Sequence, residues 1–174
     1  MWAAAAHHLN ANPFNAIVRD TGFWSLRFLC LTVAVTPLRW LTRWHALVKF
    51  RRMLGLFAFF YGVIHLAAYV AFDALRGEVA LTWTALAVDA LRPFFAIGYL
   101  SFVLMVPLAA TSTVGMIRRL GGARWQALHR LVYPAAMAGV VHTYWPWTTQ
   151  TPSYAVVLSL ILAVRIAVKV DRHA

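Results

Sequence analysis

Apolar stretches of about 20 residues, separated by short basic or turn-forming clusters, constrain this chain more than any other feature of it. A helix needs about 20 mostly apolar residues to cross the hydrocarbon core of a bilayer. Five segments meet or approach that requirement: 22–38, 52–72, 93–113, 126–144 and 153–170. The breaks between them carry Pro37 with Arg39, then Asp73 to Glu78, then Gly121–Gly122, then Pro146 and Pro152, all helix-ending or water-seeking signals. Hydrophobic residues make up 62% and charged residues 12% of 174, far from the near-half apolar, quarter-charged balance of a soluble domain. Because backbone groups in lipid must be hydrogen-bonded internally, the expected fold is all-α, an integral membrane bundle of about five transmembrane helices. Residues 1–21 are too polar to span and are expected to form an interfacial or truncated segment, leaving 22–172 as the membrane domain.

The formal charge of +11 does not point to nucleic acid, because the basic residues sit in clusters between the apolar runs. One side receives Arg39, Arg43, Lys49, Arg51 and Arg52, then Arg118, Arg119, Arg124 and Arg130, then Arg165, Lys169 and Arg172. The other receives Arg19, Arg76 and Arg92, with Asp20, Asp73, Glu78 and Asp89 beside them. Cytoplasmic loops retain lysine and arginine, so the N-terminus is expected outside and the C-terminus in the cytoplasm. The single cysteine, Cys30, lies in an apolar run and reads as a small buried hydrophobe, with no disulfide available within the chain. Residues 1–9 have no basic residue before the alanines and no full apolar core, which argues against a cleavable signal peptide.

Ionisable groups inside a bilayer are costly and by default mark function. Three histidines fall in the spans, His65, His129 and His142, whereas His7, His8, His45 and His173 lie in terminal or loop segments and read as solvated. His65 and His142 stand near the outer ends of two helices that run in the same direction, so they are expected at similar depth. Two imidazoles on opposite sides of one iron make a six-coordinate b-type haem, suited to electron transfer rather than oxygen chemistry. His129 lies 13 residues before His142, roughly 20 Å away along a helix, and cannot serve the same haem. At the matching depth on the second span stands Arg51, a poor iron ligand but a partner for a propionate. On an ideal helix a separation of 13 turns the side chain by about 220°, so His129 and His142 diverge unless Pro134 kinks or rewinds the segment. Interhelical hydrogen bonding is the plain alternative for these histidines. Zinc is disfavoured because no carboxylate or thiolate lies at either depth.

Gly55, Gly62, Gly98 and Gly139 admit either a porphyrin or close helix packing, and packing is the simpler account. Trp40, Trp44, Trp83, Trp125, Trp145 and Trp147 sit near span ends as an aromatic belt requires. Arg118, Arg119 and Arg130 could attract an anionic flavin or a propionate, although the positive-inside rule explains them without a ligand.

An ordered set of short motifs resembles one family. Val35-Thr36-Pro37-Leu38-Arg39, Arg51-Arg52-Met53-Leu54-Gly55-Leu56, His65-Leu66 with Tyr69, Thr111-Ser112, Arg118-Arg119-Leu120-Gly121, Trp125, Leu128-His129, Tyr133 and His142 are similar to the MsrQ family of the ferric-reductase-like transmembrane superfamily. The resemblance covers roughly residues 12 to 170. It implies a haem b subunit of the bacterial inner membrane, with one haem or two. Electrons come from the quinone pool or a cytoplasmic flavin reductase. They pass to MsrP, a periplasmic molybdopterin enzyme that reduces methionine sulfoxide in oxidised proteins, so the sulfoxide chemistry belongs to the partner. It carries haem ligation onto His65, His129 and His142 and a supporting role onto Arg51, and it implies FMN, for which no residue can be assigned. Members usually have six spans, which implies that the first is missing or truncated here, and the superfamily's oxidases have histidine where Arg51 stands. The competing readings are another ferric-reductase-like or b561-like cytochrome, and a cofactor-free transporter or assembly factor.

Overall fold

The computed structural model describes residues 13–76, 88–89, 91–144 and 152–171, and every regular element among them is helical. Helix α1, Pro13–Thr42, pairs antiparallel with α2, Leu47–Arg76. Helix α3, Pro93–Ala110, returns toward the basic end, where the short helices α4, Val114–Leu120, and α5, Gly122–Leu128, lie. A 3₁₀ turn, His129–Leu131, leads into α6, Val132–Tyr144, and α7, Pro152–Asp171, follows. Asn15–Thr42, Leu47–Ala71 and Pro93–Ala110 are each long and apolar enough to cross a membrane. Large apolar side chains such as Leu41, Val103 and Leu160 are about 60% or more exposed, the signature of a surface that meets lipid rather than water.

Three expectations need correction. Pro37, expected to mark the break after the first span, lies inside α1, which runs on to Thr42. The first span, drawn from residue 22, is the inner part of a helix that starts at Pro13. Threonine hydroxyls return to carbonyls one turn back, Thr21 to Ile17 and Thr32 to Phe28 at 2.7 Å each, so these polar residues leave nothing unsatisfied for lipid to exclude. The segment 126–144, expected as one helix, is divided by the 3₁₀ turn. Pro134 has no N–H for the carbonyl of Arg130, and its ring crowds that carbonyl. As the third residue of α6 it occupies a position where a missing donor costs little.

Helix α1 runs through the centre. Its Leu26, Leu29, Cys30 and Val33 join Ala58, Met105, Val132, Ala135, Ala136, Val140 and Leu158 in one core. Ala58, Ala135 and Ala136 are fully buried, and side chains this small let backbones approach where no hydrophobic effect between lipid-bathed helices would drive them. Two serines stitch the approach. Ser25 Oγ donates to the Ala58 carbonyl at 2.8 Å and Ser101 Oγ to the Ala135 carbonyl at 2.9 Å.

The turns obey local chemistry at every point but one. Pro93 opens α3 behind an extended Arg92, Thr113 Oγ1 caps α4 by accepting from Met116 N, and Gly121, at φ 74°, ends α4 in the conformation that favours glycine. Arg43, which ends α1, has φ 57° without being glycine. Arg43→Gly should therefore stabilise the α1–α2 hairpin by ~1 kcal/mol, visible as a higher thermal midpoint in detergent; no gain would show that the arginine side chain compensates its backbone.

Candidate functional site

The ends of α1, α2, α3 and α6 away from the basic loops enclose a cavity of about 570 Å³. Its walls are mostly apolar, with Leu26, Leu29, Phe94, Phe95, Phe102 and Met105 among them, and His65 and His142 both face it. The two ring centroids are 6.3 Å apart and the ring planes meet at 79°. His65 comes from α2 and His142 from the last turn of α6, so helices distant in sequence meet at one depth.

Each ring is held from behind by a helix that supplies no histidine. Nδ1 of His65 lies 2.7 Å from the Val18 carbonyl of α1, and Nδ1 of His142 lies 2.8 Å from the Phe94 carbonyl of α3. A carbonyl can only accept, so Nδ1 carries the proton in both rings, and in a neutral imidazole Nε2 is then left with a free lone pair. A glycine stands four residues after each carbonyl. A Cβ on Gly22 would lie 3.0 Å from His65 Cε1 and Nδ1, and one on Gly98 would lie 2.8 Å from the same atoms of His142. Phe94 also stacks on His142 with centroids 4.3 Å apart. Gly98 therefore makes room for a ligand-type side chain rather than for helix packing, whereas Gly55 and Gly139 meet neighbours only at 3.4 Å or more.

The donor set suits a planar prosthetic group bound on both faces. Two imidazoles on opposite sides of one metal, each at the ~2 Å of a metal–imidazole bond, place their centroids ~6 Å apart. Among the described residues no three of His, Cys, Asp or Glu converge as a metal cage.

His129 stands apart from this pair, at the basic end. It stacks on Trp125 with centroids 3.9 Å apart, and its Nε2 lies 3.1 Å from Thr111 Oγ1. Trp125 Nε1 donates to the Thr111 carbonyl at 2.9 Å, so this tryptophan packs on a histidine instead of serving only as an interfacial anchor. Arg51 lies within electrostatic range of both His129 and Arg39. The 3₁₀ turn adds about 20° per residue to the helical rotation, which moves His129 toward the face of His142 without aligning the two. His7, His8, His173, Trp83, Trp145 and Trp147 lie outside the described residues.

Three features escaped the sequence reading. Gly22 and Val18 carry no signal in the sequence, since neither type is unusual near a span end. Arg27 carried a readable signal, an arginine inside an apolar run: its Nε donates to Tyr154 Oη at 2.8 Å and its guanidinium sits 4.8 Å from the Trp24 ring centroid. The third is a contact at the cavity mouth, where Tyr69, one turn beyond His65, donates to Asp89 at 2.6 Å and ties the segment before α3 to α2.

Fold and site together define a helical membrane protein built around a cavity with paired imidazoles. Residues 21–140 match the family described as ferric reductase like transmembrane component. Several relatives bear the name protein-methionine-sulfoxide reductase heme-binding subunit MsrQ. The one from Herminiimonas arsenicoxydans is 50% identical over 137 residues, 79% of this chain and 61% of the relative. Those from Ralstonia nicotianae and Polaromonas naphthalenivorans are 45% and 47% identical over 93% and 95% of this chain, and 75% and 76% of their own lengths. The chain thus belongs to the ferric-reductase-like transmembrane family and, within it, to the MsrQ group; it spans about three fifths to three quarters of the length of these relatives.

Proposed function

We propose that this chain is a haem b-binding electron-transfer subunit of a methionine sulfoxide reductase system in a bacterial inner membrane, with residues 22–172 as its haem-bearing domain. His65 and His142 are the residues that would hold one haem between them. The observation that carries this is the 6.3 Å separation of two rings whose Nδ1 atoms are both committed to backbone carbonyls. The relatives' name, heme-binding subunit, agrees with it. A bound haem supplies a one-electron carrier whose potential is set by its axial ligands and its burial.

The chain's own residues do the rest. His65 and His142 would hold the haem between them through their free Nε2 lone pairs, an arrangement suited to electron transfer. The Val18 and Phe94 carbonyls fix the tautomer and raise the basicity of the rings. Phe94, Phe95 and Phe102 exclude water and so lower the local dielectric. At the basic end His129, with Arg51 in electrostatic range, is the place for a second haem or for a propionate contact. The electron donor is the quinone pool or a cytoplasmic flavin reductase, with FMN as a further carrier. The acceptor is the periplasmic molybdopterin subunit MsrP, which repairs oxidised periplasmic proteins.

The purified protein, expressed with ample haem, should show sharp Soret and α bands on dithionite reduction. When co-reconstituted with MsrP in vesicles, reduced protein should be reoxidised by a methionine sulfoxide peptide only if MsrP is present. A colourless preparation would sink the haem reading in favour of a transporter or assembly factor. A haem protein reoxidised instead by ferric chelates, with or without MsrP, would place it with other ferric-reductase-like cytochromes.

A further inference from the structure

The same backbone device occurs twice in the cavity wall. On α1 the carbonyl of Val18 takes Nδ1–H of His65, and four residues on stands Gly22; on α3 the carbonyl of Phe94 takes Nδ1–H of His142, and four residues on stands Gly98. In an α-helix the carbonyl of residue i is already bonded to the N–H of residue i+4. An imidazole can share that carbonyl only by lying against the backbone beside residue i+4, the place a Cβ there would occupy. The distances state how little space remains: 3.0 Å from a Cβ on Gly22 and 2.8 Å from one on Gly98. Neither glycine has a positive φ, so backbone conformation does not require them. The ring does.

We propose that Gly22 and Gly98 are positioning residues that seat the His65 and His142 rings on neighbouring backbone and hold their planes near perpendicular, which sets the electronic character of the haem the two rings bind. The proposal rests on the ligand assignment above and adds what determines ring orientation. Ring orientation has an electronic consequence. When two axial imidazoles are parallel, their π orbitals act on the same iron d orbital and split it from its partner. When perpendicular, they act on different orbitals and leave the pair nearly degenerate. The observed 79° corresponds to the second case, so ferric protein should give a strongly anisotropic low-spin EPR signal dominated by one low-field feature.

The test is low-temperature EPR and haem retention for full-length Gly22→Ala and Gly98→Ala, with Gly55→Ala as control. Gly55 lies on the same helix as His65 but away from the cavity wall, and a Cβ there meets only Thr32, at an ordinary 3.7 Å. Gly98→Ala should convert the anisotropic signal to a rhombic or high-spin one and weaken haem binding about 10- to 100-fold, the usual cost of losing a ligand's outer hydrogen bond. Gly22→Ala should do the same more mildly, and it decides the matter if Gly98→Ala does not fold. Gly55→Ala should keep the parent signal. An unchanged signal in both cradle variants, or an equal change in Gly55→Ala, overturns the proposal. The ligand assignment fails separately, if His65→Ala or His142→Ala keeps the parent low-spin signal.

Discussion

His65→Ala and His142→Ala should each abolish the bis-imidazole low-spin spectrum, and His129→Ala should leave it in place. The expectation follows from the cavity having two imidazoles and no substitute. Among the described residues no other histidine, cysteine or carboxylate joins them, and Met105, though it lines the same cavity, is packed into the core against Gly62. With one ring removed, a single imidazole would be left in the cavity to hold the haem. Since losing only an outer hydrogen-bond partner costs about 10- to 100-fold in metal affinity, losing the ligand itself should exceed about 100-fold. His129 is stacked on Trp125 at the other end of the bundle, so its removal can take away only a second, inner component. Reduced-minus-oxidised difference spectra of the three variants at equal protein concentration decide this. Retention of the full α band in either cavity variant would refute the ligand pair.

The second large effect is expected from Ala58→Leu. Ala58 is fully buried, and its carbonyl accepts the Ser25 hydroxyl at 2.8 Å, so α1 and α2 touch there. A leucine has nowhere to go except between them. Overpacking a tight core typically costs about 1–3 kcal/mol and occasionally more, and here the upper end is expected because the contact involves two backbones rather than two flexible side chains. Parting α1 from α2 also draws Val18 and Gly22 away from His65, so haem loss should accompany destabilisation. Equilibrium unfolding in mixed micelles, with haem absorbance and far-ultraviolet circular dichroism followed together, would show both. A variant as stable as the parent would mean that the α1–α2 contact is looser than the observed burial implies.

Much is legible in the sequence because the bilayer is a demanding solvent. Helix periods, turn residues and the basic clusters follow from local sequence, and Gly121 and Pro93 end or open elements where residue type alone says they should, whereas Pro37 lies inside α1. What went unread was of two kinds. The helix starting at Pro13 extends past the apolar run because hydroxyl-to-carbonyl bonds make polar residues tolerable in it. The broken segment around His129 depends on whether Pro134 falls inside a helix or in its first turn, and that depends on packing upstream. Arg27 is legible as an arginine in an apolar run, whereas its partner Tyr154, 127 residues away, is not.

By itself, the sequence determined a multi-span helical membrane protein with three intramembrane histidines, since hydropathy and the cost of buried charge act residue by residue. Only the tertiary structure decided that His65 and His142 meet across one cavity, that their planes cross at 79°, and that the carbonyls of Val18 and Phe94 with Gly22 and Gly98 hold them there. Those facts depend on the azimuth and depth of four separate helices. These are fixed by contacts between buried alanines, serines and glycines, small residues whose meaning appears only when the opposing backbone is in place.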